Sequence, residues 1–169
     1  MPDWQQGQYD LPSAQDDDTP RVLRVEEVRR ESPDTATLFF RRPEPERACV
    51  GGGQPGQFYM LWLPGVDEKP YALSYLEESR VGVTVRERGS FSRKLCGLDP
   101  GARVGFRGPY GRGFGHLDEE GPAAAIGGGC GLAALALLKQ RRPECRLVQG
   151  APTEENVLWR GRFPEQEVF

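Results

Sequence analysis

The sequence predicts an antiparallel, six-stranded β-barrel followed by a partial parallel α/β unit. Three observations carry that reading. In Arg80–Arg86, Val81, Val83 and Val85 alternate with Gly82, Thr84 and Arg86, the period of two of a half-buried strand. The 22 glycines and 15 prolines are about a fifth of 169 residues, against a usual ~12%, which favours many turns over a helix bundle. At Gly121 the pattern changes to apolar strand, Gly-rich turn and apolar helix.

Met1–Pro20 is polar, with Asp16–Asp18 and Pro at 2, 12 and 20, and reads as a mobile tail. Arg21–Val28 sets Val22, Leu23, Val25 and Val28 among charges, as a strand does. Thr35–Phe40 is β-branched and aromatic, and Arg41–Gly56 is a loop. Gln57–Leu63 is apolar at nearly every position, so a strand covered on both sides is expected. Tyr71–Tyr75 is a short strand. Phe91–Leu98 is one or two helical turns, stopped at Asp99-Pro100-Gly101. Arg103–Arg107 is a strand closed by Gly108-Pro109-Tyr110-Gly111.

Beyond Gly121, Ala123–Ile126 is a strand, Gly127–Gly131 a tight turn and Leu132–Arg142 a helix ended by Pro143. Arg146–Gln149 is a second strand, Glu154–Phe163 a possible helix, and Val168-Phe169 the start of a third strand. A parallel sheet this small leaves apolar surface bare, so the chain reads as truncated, split or completed by a partner. The domains expected are a tail at 1–20, a barrel at 21–115 and an incomplete α/β domain at 121–169.

Composition removes several functions. With 22 basic and 25 acidic residues the net charge is −3, which gives no nucleic-acid footprint. Cys49, Cys96, Cys130 and Cys145 are scattered, with no CxxC pair and only His116 as a histidine, so no zinc pattern or Cys/His pair arises. No iron–sulfur spacing is present and no metal site is expected. No disulfide framework and no basic-then-apolar leader suggest a reducing, cytoplasmic setting. The uncharged run Ala123–Leu138 falls short of the ~20 residues of a membrane span and holds Gly127–Gly129.

Three clusters could carry chemistry. Gly129-x-Gly131-x-x-Ala134 fits a dinucleotide fingerprint, and Gly127 to Gly131 lie between an apolar strand and an apolar helix. A packing turn is the other reading, and Gln149 stands where a ribose-binding acid would end the second strand. In Lys69-Pro70-Tyr71-Ala72-Leu73-Ser74, Lys69 could meet a phosphate, Tyr71 could stack on a flat ring and Ser74 could bond a ring edge. An ordinary strand with one buried Tyr fits equally. In Gly89-Ser90-Phe91-Ser92, a serine could cap the helix, or the exposed amides could take a phosphate. Cys130 is either an activated thiol at a helix start or a packing residue.

These clusters, in this order, resemble the ferredoxin–NADP reductase superfamily. Lys69–Ser74 is similar to its Arg-Pro-Tyr-Ser-x-x flavin motif, Gly89–Leu95 to its Gly-x-x-Ser-x-x-Leu phosphate motif, and Gly108–Gly111 to its Gly-Pro-x-Gly turn. Ala125–Leu135 is similar to the opening of its nicotinamide-nucleotide domain. Pro64-Gly65-Val66-Asp67-Glu68-Lys69-Pro70 and Gly150–Phe163 resemble the sub-family of dihydroorotate dehydrogenase electron-transfer subunits. The resemblance implies an oxidoreductase with FAD against the barrel. Tyr71 would stack on the isoalloxazine, Lys69 and the Ser90–Ser92 start would hold phosphates, and Gly127–Gly131 would face NADH. Electrons would pass through a [2Fe–2S] cluster to a catalytic dihydroorotate dehydrogenase subunit in a hetero-oligomer of pyrimidine biosynthesis. Lys69 stands where the family has Arg, Ala72 where it has a hydroxyl, and Pro152 where it often has Arg; the cluster cysteines are absent from this chain. The other readings are a reductase component of another flavoprotein system, or a non-enzymatic interaction module with a vestigial nucleotide half.

Overall fold

The structure, a computed structural model, describes residues 19–43, 50–114 and 121–169. The expected tail, apart from its last two residues, lies outside the described residues, as do Cys49 and His116.

The first half is one antiparallel sheet of seven strands. They are β1 (Arg21–Ser32), β2 (Thr35–Arg41), β3 (Phe58–Leu63), β4 (Asp67–Ala72), β5 (Tyr75–Leu76), β6 (Arg80–Arg86) and β7 (Arg103–Tyr110). Their order is β4-β3-β7-β1-β2-β6-β5. The expected closed six-stranded barrel is corrected on two points. The seventh strand is Asp67–Ala72, which Pro64-Gly65 and Pro70 disguised as loop. Pro70 is tolerated because β4 is an edge strand and its missing N–H breaks no inner ladder. No ladder joins the edges β4 and β5 among the described residues. They are consecutive in the chain, and between them the Ser74 amide bonds Gly82 O of β6. The chain itself carries the sheet from one edge to the other.

β3 is covered on one side only, against expectation. Tyr59, Leu61 and Leu63 are buried, whereas Phe58 and Met60 are half-buried and Trp62 is exposed. An antiparallel sheet can leave one face to water. Trp62 lies across Gly105 of β7, where a Cβ would come within 2.7 Å of its ring. The barrel core is built from Val25, Leu38, Phe40, Leu61, Val83 and Phe106 with their neighbours. Helix α1 (Ser90–Cys96) closes it with Phe91, Leu95 and Cys96.

The second half is a parallel sheet of β8 (Ala124–Gly128), β9 (Arg146–Gly150) and β10 (Glu167–Val168), in the order β10-β9-β8, with α2 (Leu132–Arg141) on one face. β8 runs through Gly128 and leads into a 3-10 turn, Gly129–Gly131, so the turn starts later than the sequence suggested. Among the described residues the other face of the sheet is only partly covered, with Ile126 74% exposed and Val148 half-buried. The expected helix at Glu154–Phe163 is absent. Only a 3-10 turn, Glu154–Asn156, forms. The reason is local: the Leu158 amide bonds the buried Gln149 Oε1 rather than a helical carbonyl, and Gly161 and Pro164 interrupt any later helical turn. No helix among the described residues is long and apolar enough to cross a membrane.

The halves share a second core. Phe39 and Tyr75 of the antiparallel sheet pack with Leu132, Ala136, Leu147, Trp159 and Phe163. β2 is therefore buried on both faces.

Candidate functional site

β4 sets out the first motif. Lys69 is exposed and its Nζ lies 2.7 Å from Asp67 Oδ2. That bond, with the Glu68 amide, holds the Asp67 carboxyl below its usual range. Pro70 is exposed at the edge. Tyr71 is half-buried, and its ring stacks on Phe91 with centroids 6.3 Å apart and planes 20° apart. Ala72 sits opposite Phe58. Leu73 is buried. Ser74 is fully buried, and its hydroxyl is spent on Thr84 Oγ1 (2.7 Å) and Gly82 O (3.2 Å). A ring-edge bond from Ser74 is thereby corrected: the side chain points into the sheet.

The second motif starts α1. Gly89 is its N-cap. Ser92 Oγ accepts from the Arg88 and Gly89 amides, at 2.9 and 3.0 Å, and donates to Gly89 O. The capping reading thus holds for Ser92, three positions after the cap. Ser90 is exposed. The amides of Ser90 and Phe91 stand in the first turn, where a helix offers no acceptor of its own. That opening, beside the Tyr71 ring, suits a phosphate.

The third motif contains two kinds of glycine. A Cβ on Gly127 would meet the Leu132 backbone at 3.0 Å, so this glycine lets strand and helix touch. Gly129 has φ +50°, and a Cβ there would meet Arg86 Nη1 at 3.2 Å. Gly128 and Gly131 face open space, so a ligand backbone could come close at the start of α2. Cys130, between them, is exposed.

The fold brings the three motifs together. α1 packs on β4, and α2 packs on β4, β5 and β8. Burial pushes the Tyr71 hydroxyl up to about 12. Behind the glycines runs a narrow crevice lined by Asp34, Arg86, Cys130 and Asn156 among others, in which Arg86 Nε holds Asp34 Oδ2 at 2.5 Å. A half-exposed aromatic face, a helix start and open glycines could hold a flavin dinucleotide.

An iron–sulfur cluster does not fit the described residues. Cys96 and Cys145 are buried, and no three His, Cys, Asp or Glu side chains are grouped to hold a metal. Gln149, at the end of β9, is also no ribose ligand. It is buried, and its side chain accepts from Leu158 N and donates to Asn156 O. Sequence reasoning missed Arg162, which donates to Ser74 O at 2.8 Å. The only signal was cations interleaved with aromatics in Trp159-Arg160-Gly161-Arg162-Phe163.

No family model matches the chain. The chain is 37% identical over 147 residues to the probable dihydroorotate dehydrogenase B (NAD(+)), electron transfer subunit of Thermoplasma acidophilum, covering 87% of this chain and 54% of that protein. The counterpart from Methanocaldococcus jannaschii is 34% identical over 148 residues, covering 85% and 52%. The chain spans about half the length of these relatives. Among solved structures, the Amycolatopsis cytochrome P450 reductase GcoB matches with a TM-score of 0.71 and 30% identity, over 86% of this chain and 48% of that one. Phthalate dioxygenase reductase matches with a TM-score of 0.71 and 18% identity, over 89% and 51%, and shares the fold.

Proposed function

Since the chain belongs to the ferredoxin–NADP reductase superfamily, beside the dihydroorotate dehydrogenase B electron transfer subunits, we propose that it works in flavin-based electron transfer from NADH to a partner subunit. Residues 21–115 form the flavin domain in this reading, and 121–169 the nucleotide-binding part. The partner is a catalytic dihydroorotate dehydrogenase subunit, on the ground that the relatives are named as electron transfer subunits. FAD, when bound, supplies the exchange between a two-electron hydride donor and single electrons.

The residues divide the work. Tyr71 offers a ring face that Phe91 backs and orients. The Ser90 and Phe91 amides hold a phosphate, and Lys69 joins them by exchanging Asp67 for it. Lys69 gives a point charge where the family has a two-pronged Arg. Pro70 and Leu73 set the strand, Ala72 leaves the ring edge without a hydroxyl partner, and Ser74 and Ser92 brace the backbone from inside. Gly89 opens the helix start. Gly128 and Gly131 admit the nicotinamide nucleotide, and Gly127 and Gly129 shape the turn that presents them.

The single observation that carries this reading is the Tyr71–Phe91 stack at the start of α1, on the strand against which α2 packs. The test is the visible spectrum of the anaerobically purified protein before and after NADH. Flavin bands that bleach support the reading. Bands that persist leave the flavin site and remove the nicotinamide half. A colourless protein that cannot be reconstituted with FAD removes the reading. That outcome favours a non-enzymatic interaction module, which the structural use of Gln149 would suit.

A further inference from the structure

Arg162 lies outside all three motifs, yet it is held from several sides. Its guanidinium carbon stands 3.7 Å from the Tyr75 ring centroid, 4.8 Å from Phe163 and 5.2 Å from Trp159. Nη1 donates to the Ser74 carbonyl at 2.8 Å. Nη2 reaches Gln140 Oε1 at 3.4 Å. Gln140 in turn donates through Nε2 to Leu76 O at 2.9 Å. Two side chains of the second half thus hold the carbonyls on either side of Tyr75, just past the Lys69–Ser74 motif.

The same layer continues into the barrel. Tyr75 meets Phe39 edge-on at 4.9 Å, and the Arg29 and Arg80 guanidinium groups lie over Phe39 at 4.6 and 4.2 Å. Gly82 makes room for it, since a Cβ there would strike Tyr75 at 3.0 Å. On the other side stands Trp159, with φ +58° and a buried Nε1 that finds no partner among the described residues. Both features are costly, and such residues persist only where the surroundings over-determine them. Trp159 O accepts from the Arg162 and Phe163 amides at 2.9 and 2.8 Å. The strained turn is therefore what aims Arg162 at the barrel.

We propose that Arg162 is a positioning residue: it clasps the nucleotide half to the Ser74–Leu76 segment and so keeps the Gly128–Gly131 turn in register with Tyr71. This rests on the flavin–nicotinamide reading. The clasp combines a charge-assisted hydrogen bond with cation–ring contacts, each of the stronger kind when withdrawn from water.

The experiment uses Arg162→Met in the full chain, with two readouts. In hydrogen exchange, the Ser74 and Glu77 amides should exchange roughly tenfold faster in the variant, while β2 amides keep their rates. Unchanged exchange at Ser74 and Glu77 overturns the clasp. In the FAD-loaded protein, flavin reduction at saturating NADH should slow by roughly tenfold while FAD affinity stays within about twofold. Arg162→Lys, which keeps the cation and one hydrogen bond, should recover part of the rate. A loosened segment with an unchanged reduction rate overturns the positioning role. A wild type that takes up no flavin removes the functional reading, and the exchange comparison then decides the clasp by itself. If the Met variant does not fold, Arg162→Gln, which also removes the cation, is read in both assays by the same criteria.

Discussion

The Tyr71 ring of β4 lies almost parallel to the Phe91 ring of α1, with centroids 6.3 Å apart and planes 20° apart. One ring comes from the strand that carries Lys69, the other from the helix start that carries Ser90. If a flavin binds here, the pair fixes its ring system against its phosphates. Tyr71→Ala should then weaken FAD binding by about 1–3 kcal/mol, the usual range for one lost stacking partner. Tyr71→Phe should stay close to wild type. Since burial keeps the hydroxyl neutral up to about pH 12, Tyr71 itself adds no pH dependence to binding near neutrality. Fluorescence titration with FAD measures both variants. Equal affinity of the Ala variant and the wild type would place the flavin elsewhere.

The two glycines that end β8 should separate cleanly on substitution. Gly127→Ala forces a Cβ to 3.0 Å from the Leu132 backbone, which cannot move aside without shifting α2. A cost of about 1–3 kcal/mol is expected. Gly128→Ala enters open space at φ −94° and should change stability by less than about 0.5 kcal/mol. Gly128→Val should likewise fold, yet obstruct a nucleotide and abolish bleaching by NADH. Urea denaturation and anaerobic spectra give the two readings. If Gly128→Val bleaches as the wild type does, the nucleotide does not approach at this glycine.

A buried line of hydroxyls stiffens the same strand segment from within. Ser74 Oγ meets Thr84 Oγ1 at 2.7 Å, Thr84 meets Thr37 Oγ1 at 2.8 Å, and Thr37 donates to Glu31 Oε1 at 2.7 Å. Thr84→Val removes the middle member and keeps its shape. The variant should lose about 1–3 kcal/mol, because Ser74 and Thr37 then stay buried with one partner fewer. Thr84→Ser should be nearly neutral by comparison. Denaturant midpoints decide; a Val variant as stable as the wild type would mean that the neighbours re-pair.

The parts of the fold that sequence could give are those set by local pattern. Val81, Val83 and Val85 announced β6, and the glycines after Ala125 announced the strand–turn–helix. β4 was hidden because Pro70 signals loop unless the strand is known to be an edge, and edges are decided by distant pairing. Trp62 looked buried because periodicity cannot tell a covered face from an apolar one left open above Gly105. The Glu154–Phe163 segment has helical spacing, but the Gln149 side chain claims its Leu158 amide. At the site, motif order pointed to Tyr71, Ser90 and the glycines. Arg162 joins Ser74 across 88 positions, and no local pattern encodes such a contact.

Alkaline pH should expose how far the barrel core shields its acids. Cys96 is 3% exposed, its Sγ faces Val85 O, and burial, seconded by the Glu87 carboxylate, pushes its thiol from 9.0 up to about 11. Tyr71 is pushed from 10.0 to about 12, and burial also raises Tyr75. In each case the folded chain keeps a proton that the unfolded chain gives up. Stability from these groups is therefore complete below about pH 9 and falls as pH rises, first through the Cys96 window and then through the tyrosine window. Urea midpoints measured from pH 7 to about 11 should be level and then descend. Cys96→Ala removes the earlier window, so its descent should begin about one pH unit later, where the tyrosines start to ionise when unfolded. Coincident onsets in the two proteins would mean that the thiol is solvated in the folded chain and that α1 does not seal the barrel.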